Sequence, residues 1–156
     1  KVKGYWEDMD IYNATQALKN FGTGILPSHW MEMAKTRLYD GDPSATWTLH
    51  RIVRDFMSVF SPICPFFTHH ISGTLYDKSA VDVRDFPTQV TDDLSHDSSE
   101  NIRLCGLTQS IIDFNSSTWK MKKDAGVSLN MPISGVKIPA DLGEFTVVLS
   151  QMHRLE

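Results

Sequence analysis

Apolar positions recur along most of the chain at the three- and four-residue steps of a helical face. From Trp6 to about Phe21 they fall at Ile11, Ala14, Leu18 and Phe21, and Gly22 and Gly24 are expected to end that helix. Pro27 and Ser28 then open a second helical stretch carrying Trp30, Met33, Ala34, Arg37 and Leu38, which Gly41 stops. Asp42 followed by Pro43 is a start signal, because an aspartate accepts bonds from the first free amides and proline is pre-set for the first turn. The third helix is predicted to run to about Val59 and to bury Leu49, Val53, Phe56 and Phe60. Pro62 ends it, and Pro65 begins a shorter helix reaching Tyr76.

The pattern then changes. Residues 79–98, rich in Asp, Ser and Thr with Pro87, read as an extended connector. A long helix follows from about Ser99 to Lys123, with Leu104, Leu107, Ile111, Phe114, Thr118 and Met121 on one stripe, and Gly126 closes it. Ile133, Val136 and Ile138 lie between Pro132 and Pro139 and suggest one short strand. Leu142 to Leu155 suggests a terminal helix. The expectation is a mainly α chain: a helical bundle, a long helix and a small α/β appendage.

The chain has 156 residues, 41% of them hydrophobic, enough for an ordinary buried core. The stretch Phe56 to Phe67 is broken by Ser58, Ser61, Pro62 and Pro65, well short of the roughly 20 apolar residues a membrane-spanning helix needs. The sequence begins Lys-Val-Lys-Gly-Tyr, with no initiating Met and no charged-then-apolar leader, and reads as a piece of a longer protein. Cys64 and Cys105 form no CxxC pair, so neither a disulfide framework nor a thiolate zinc site is supported, and a reducing cytoplasm fits. The net charge of −4 argues against a generic polyanion binder. Its distribution is uneven. Residues 1–87 carry nine bases and ten acids, residues 88–100 four acids and no base, and residues 101–126 four bases and two acids.

Enzymatic motifs are missing: no GxSxG, HExxH, Walker or GxGxxG string occurs. His69 and His70 are neighbours, pointing about 100° apart on a helix, and do not chelate one metal as an i, i+4 pair would. No nucleophile sits beside an oriented base, so no catalytic residue and no metal ligand is assigned. In the third helix Trp47, Arg51, Arg54 and Ser58 share a face other than the apolar one. An exposed indole beside guanidinium groups can stack an unpaired base and hold its phosphate. The same spacing also suits a tryptophan at a helix seam with two solvated arginines. On the long helix Ser116, Lys120 and Lys123 project together with Trp119 at their border, whereas Lys122 points toward the apolar edge. Bases at a helix C-terminus also complement its dipole. Lys35 and Arg37, on the second helix, are equally readable as an ion pair with Glu32 and a solvated base.

Particular strings add to this. Asp42-Pro-Ser-Ala-Thr-Trp-Thr-Leu-His50, then Phe56-Met-Ser-Val-Phe-Ser-Pro-Ile-Cys-Pro-Phe-Phe-Thr68 and Leu75-Tyr76, resemble the anticodon-binding bundle of class I aminoacyl-tRNA synthetases for valine, isoleucine and leucine, with its L-x-P-x-x-P-F-x-T element. Ala80-Val-Asp-Val-Arg-Asp-Phe-Pro87 is similar to that family's S-V-H-x-x-x-[WF]-P segment, and Trp30-Met-Glu-Met-Ala-Lys35 to its aromatic-x-E-x-x-K helix. Phe114-Asn-Ser-Ser-Thr-Trp-Lys-Met-Lys-Lys123 and Gly126-Val-Ser-Leu-Asn-Met-Pro-Ile133 resemble the F-N-x-x-x-W-x-x-K-K and G-[LV]-S-L-N-x-P-[IL] strings of archaeal-type valyl-tRNA synthetases. Departures exist. His69-His70 stand where the family usually has two acids, and its HIGH and KMSKS signatures are absent.

The resemblance implies a bundle over residues 1–87 lacking its first helix, an acidic connector over 88–98, and a long helix with a small α/β subdomain over 99–156. It further implies a non-catalytic fragment that recognises the anticodon region of a tRNA. Its RNA-contacting candidates are Lys35, Arg37, Trp47, Arg51, Arg54, Trp119, Lys120 and Lys123. No cofactor is expected in the fragment, ATP being used by the catalytic domain of the intact cytoplasmic ligase; no membrane or metal is involved. The alternatives are the equivalent isoleucyl or leucyl domain, or a helical module that docks a protein through Trp30, Trp47 and Trp119.

Overall fold

The computed structural model describes residues 2–76, Pro87 and residues 98–156. The segment similar to the S-V-H string and the acidic connector 88–98 lie outside the described residues, apart from Pro87 and Ser98. The chain divides into two compact units, Lys1–Gln89 and Val90–Glu156. Both are helical, as expected for a mainly α chain.

The first unit opens with α1 (Val2–Glu7) and α2 (Ile11–Asn20) where one helix is predicted. The break has a local cause. Met9 adopts the left-handed conformation, at φ 55°, and Asp10 caps the next helix by accepting from the Asn13 amide at 3.1 Å. Beyond Asn20 the expected stop at Gly22 and Gly24 does not occur. The helical path continues through a π-helical segment, Phe21–Met31, and runs without interruption into α3 (Glu32–Tyr39). Asn20 and Glu32, flanking the segment, both keep right-handed helical angles. Pro27 lies inside the segment instead of opening a helix. Gly22 serves packing here: a Cβ on it would lie 2.8 Å from Cζ of Phe56.

At Gly41, with φ +73°, the chain turns. Asp42 then caps α4 (Pro43–Phe60), its carboxylate accepting from Ser44 and Ala45 at 2.8 and 3.3 Å. Ala45 and Met57 are the buried apolar side chains of α4, while the predicted Leu49, Val53, Phe56 and Phe60 are half-buried. Phe56 stacks on Phe60 and tilts against Phe21, joining α4 to the π segment, and Ala14, Leu18 and Ala34 complete the interior. α5 (Pro65–Leu75) packs on α4, and its Thr68 and Ser72 are fully buried.

In the second unit the predicted long helix is two, α6 (Ser98–Gly106) and α7 (Thr108–Asp124). Gly106 favours the break, since glycine is a poor helix former, and Leu107 there bonds back to Leu104 at 3.1 Å. Gly126, with φ +67°, closes α7 as expected. The expected strand is absent among the described residues. Ile133 alone forms an isolated parallel bridge with Leu155, because Gly135, at φ +80°, turns the chain away immediately afterwards. The terminal helix is a 3-10 turn, Ala140–Phe145, leading into α8 (Thr146–His153).

Candidate nucleic-acid interface

In the first unit the structure gathers Trp47, Arg51 and Arg54 as their spacing predicts and closes them into a cleft. Among the described residues His50 and Tyr76 supply the other walls, and the volume is about 420 Å3. Trp47 is 58% exposed, partly packed and partly open to solvent. Arg51 is fixed along its own helix, its Nε donating to Asp55 Oδ2 at 2.7 Å. Arg54 is exposed and has no ion-pair partner among the described residues. Across the cleft the Tyr76 hydroxyl donates to the His50 carbonyl at 3.2 Å, and the two rings meet edge to face at 5.8 Å. That contact pins the end of α5 to the middle of α4.

Sequence reasoning missed His50 and Tyr76. His50 was accessible to it, three residues after Trp47 on α4. Tyr76 had no local signal, since only the packing of α5 on α4 brings it there. Lys35 and Arg37, on α3, do not line the cleft. Lys35 donates to Glu32 at 3.0 Å, which holds its ammonium above the ordinary lysine value. Arg37 donates to Asp42 at 2.7 Å, and this bond, together with the Ser44 amide, holds the Asp42 carboxyl below its ordinary value. Both pairs are exposed, of a kind that contributes little to stability.

In the second unit Lys120 and Lys123 are exposed on α7, as projected. Trp119 is half-buried, its ring 5.7 Å from that of His153. His153 is 1% exposed; its Nε2 lies 2.8 Å from Asn115 Oδ1, and Phe114 meets its ring edge to face. Lys122 is completely buried. Its Nζ donates to the carbonyls of Leu129, Met131 and His153 at 2.8, 2.7 and 2.8 Å. Three donors thus meet three acceptors, and burial, aided by the charge of Arg154, pushes the group below the ordinary lysine range. The F-N-x-x-x-W-x-x-K string is therefore a structural clasp, joining α7 to the loop after it and to the end of α8.

Among the described residues no three His, Cys, Asp or Glu side chains are placed to hold a metal, and no helix is long and apolar enough to cross a membrane. The family model described as the anticodon-binding domain of tRNA ligase matches residues 1–138. The valine–tRNA ligase of Saccharolobus solfataricus is 34% identical over 135 residues, covering 86% of this chain and 15% of the relative. That of Aeropyrum pernix is 29% identical over 162 residues, covering 97% and 19%. That of Nanoarchaeum equitans is 24% identical over 156 residues, covering 100% and 19%. The chain thus spans less than a fifth of the length of these relatives. No solved structure matches it.

Proposed function

The chain belongs to the family of anticodon-binding domains of tRNA ligases, and from that premise we propose that it recognises the anticodon region of a tRNA as the non-catalytic part of a cytoplasmic valine–tRNA ligase. The catalytic domain of such an enzyme joins valine to tRNA at the expense of ATP. The fragment's own work is recognition: unpaired bases are splayed out and stacked on aromatic rings while basic side chains hold the backbone. The observation that supports this most is the cleft that sets the exposed Trp47 beside Arg51 and Arg54. Lys120 and Lys123 offer a second basic face, on α7 of the other unit. Lys35, Arg37 and Trp119 complete the proposed contact set, with Lys35 and Arg37 exchanging their present carboxylate partners for phosphate. The division proposed is a bundle over 1–87, a connector over 88–98 and the remainder over 99–156.

The test is binding of this chain to a valine tRNA transcript, and to the same transcript with a changed anticodon, at low and moderate salt. The expected result is a salt-sensitive preference for the unchanged anticodon, with log K falling by about 0.7 to 0.9 per log unit of salt for each phosphate neutralised. Absence of binding to either transcript overturns the reading. Salt-insensitive association with a protein partner and none with RNA supports the helical docking module instead.

A further inference from the structure

Resting on the reading of this chain as an RNA binder, we propose that the loop over residues 128–131 of the second unit reads an unpaired base through the Asn130 amide, with Lys122 positioning it. The backbone of this loop is fixed on both sides of Asn130. The Met131 amide donates to the Ser128 carbonyl at 2.9 Å, closing a turn. The buried Lys122 ammonium holds the Leu129 and Met131 carbonyls at 2.8 and 2.7 Å, and ties them to the His153 carbonyl at 2.8 Å. The side chains stay outside: Leu129 and Met131 are each 54% exposed, and Asn130 between them is exposed too. A loop already held in one backbone conformation loses little further freedom when a ligand arrives, so a contact made by Asn130 is realised as affinity and selectivity.

The chemistry of that contact is directional. The Asn130 side chain has two donor hydrogens and an acceptor oxygen, none of them bonded among the described residues. A carbonyl beside an N–H matches the edge of adenine, accepting from the N6 amino group and donating to N7, and an unpaired base presents that edge freely. Leu129 and Met131 flank the amide with apolar surface. Charge favours a nucleic acid as the occupant. Lys120 and Lys123 are exposed on the last turns of α7, the helix whose Lys122 reaches the loop, against one exposed acid there, Asp124. A strand that sets its base on Asn130 thus has cations beside it for its phosphates. The amide adds what these lysines lack, since an ammonium on a phosphate reports charge and not sequence.

The test uses the full chain with oligoadenylate and oligouridylate of equal length, comparing wild type with Asn130→Ala, Asn130→Gln and Lys122→Met. Wild type is expected to prefer oligoadenylate. Asn130→Ala is expected to weaken that complex on the order of tenfold and to leave the oligouridylate complex nearly unchanged. Both salt slopes should stay as they were, because an amide neutralises no phosphate. Asn130→Gln keeps the amide and is expected to restore part of the preference. Asn130 is exposed, so the helical circular dichroism of its variants should match wild type. Lys122→Met, measured at a temperature where its circular dichroism matches wild type, is expected to lose the preference and keep the salt slope, which lost stability alone does not produce. A preference that survives in folded Lys122→Met overturns the positioning role. Equal wild-type binding to the two oligonucleotides, a preference that Asn130→Ala leaves intact, or an equal loss for both overturns the loop as a reader while the RNA-binding reading stands. Binding to valine tRNA with none to either oligonucleotide overturns it as well, and if no RNA binds at all both readings fall.

Discussion

Lys122 shows how far the role of one residue depends on what surrounds it. Within a run of three bases, Lys120 and Lys123 reach solvent while the ammonium between them is wholly buried on three carbonyls. Removing such a donor leaves buried acceptors unpaired. Lys122→Met is therefore expected to destabilise the second unit by roughly 2 to 4 kcal/mol, read from urea denaturation, whereas Lys123→Met leaves the midpoint nearly unchanged. Sequence spacing placed Lys122 near the apolar edge but not the acceptors that await it, because those carbonyls belong to a loop and to the end of α8. Asp42 makes the complementary case. Its cap was legible from Asp-Pro alone, and its partner Arg37 was not. Its carboxyl is held below the ordinary value of 3.8, first by Arg37 and then by the Ser44 amide. The stability it contributes is therefore fully present above about pH 4 and is lost as pH falls through its lower folded-state pKa. Asp42→Ala is expected to melt earlier than wild type at neutral pH, with the gap in melting temperature closing across that acidic window.

At the scale of elements, caps and prolines placed most boundaries. Gly41, Asp42–Pro43, Pro65 and Gly126 stand where their local chemistry requires, and α4 and α5 match the expected spans. Gly22, Gly24 and Pro27 were misread in another way: they look like punctuation and instead lie within a continuous helical path. A long-range contact decides this, since Gly22 leaves room for the Phe56 ring, itself stacked on Phe60. Gly22→Ala brings overpacking of about 1 to 3 kcal/mol against a propensity gain of about 1 kcal/mol, so a lower melting temperature is expected. Phe56→Leu in the same chain should relieve the clash, and the double-mutant cycle should show a coupling above about 0.5 kcal/mol. The cleft was half legible in the same way. Its α4 wall follows from spacing within one helix, and its Tyr76 wall only from how α5 packs.

For the whole molecule, a net charge of −4 means that the proposed RNA binding has to rest on local cations working against an acidic background. Charge reversal on α7, Lys120→Glu with Lys123→Glu, is expected to weaken tRNA binding about tenfold or more at low salt and progressively less as salt rises, with the melting temperature preserved; filter binding across a salt series checks it. The buried ammonium has a further use at this scale. Acylating reagents modify lysines through their exposed amines, and Lys122 presents none while its three carbonyls hold it. The rate at which its peptide acquires a label, measured by mass spectrometry beside the freely reactive Lys120 and Lys123, is therefore a clock for the opening of the second unit. It reports how often that unit comes apart under native conditions, with no denaturant.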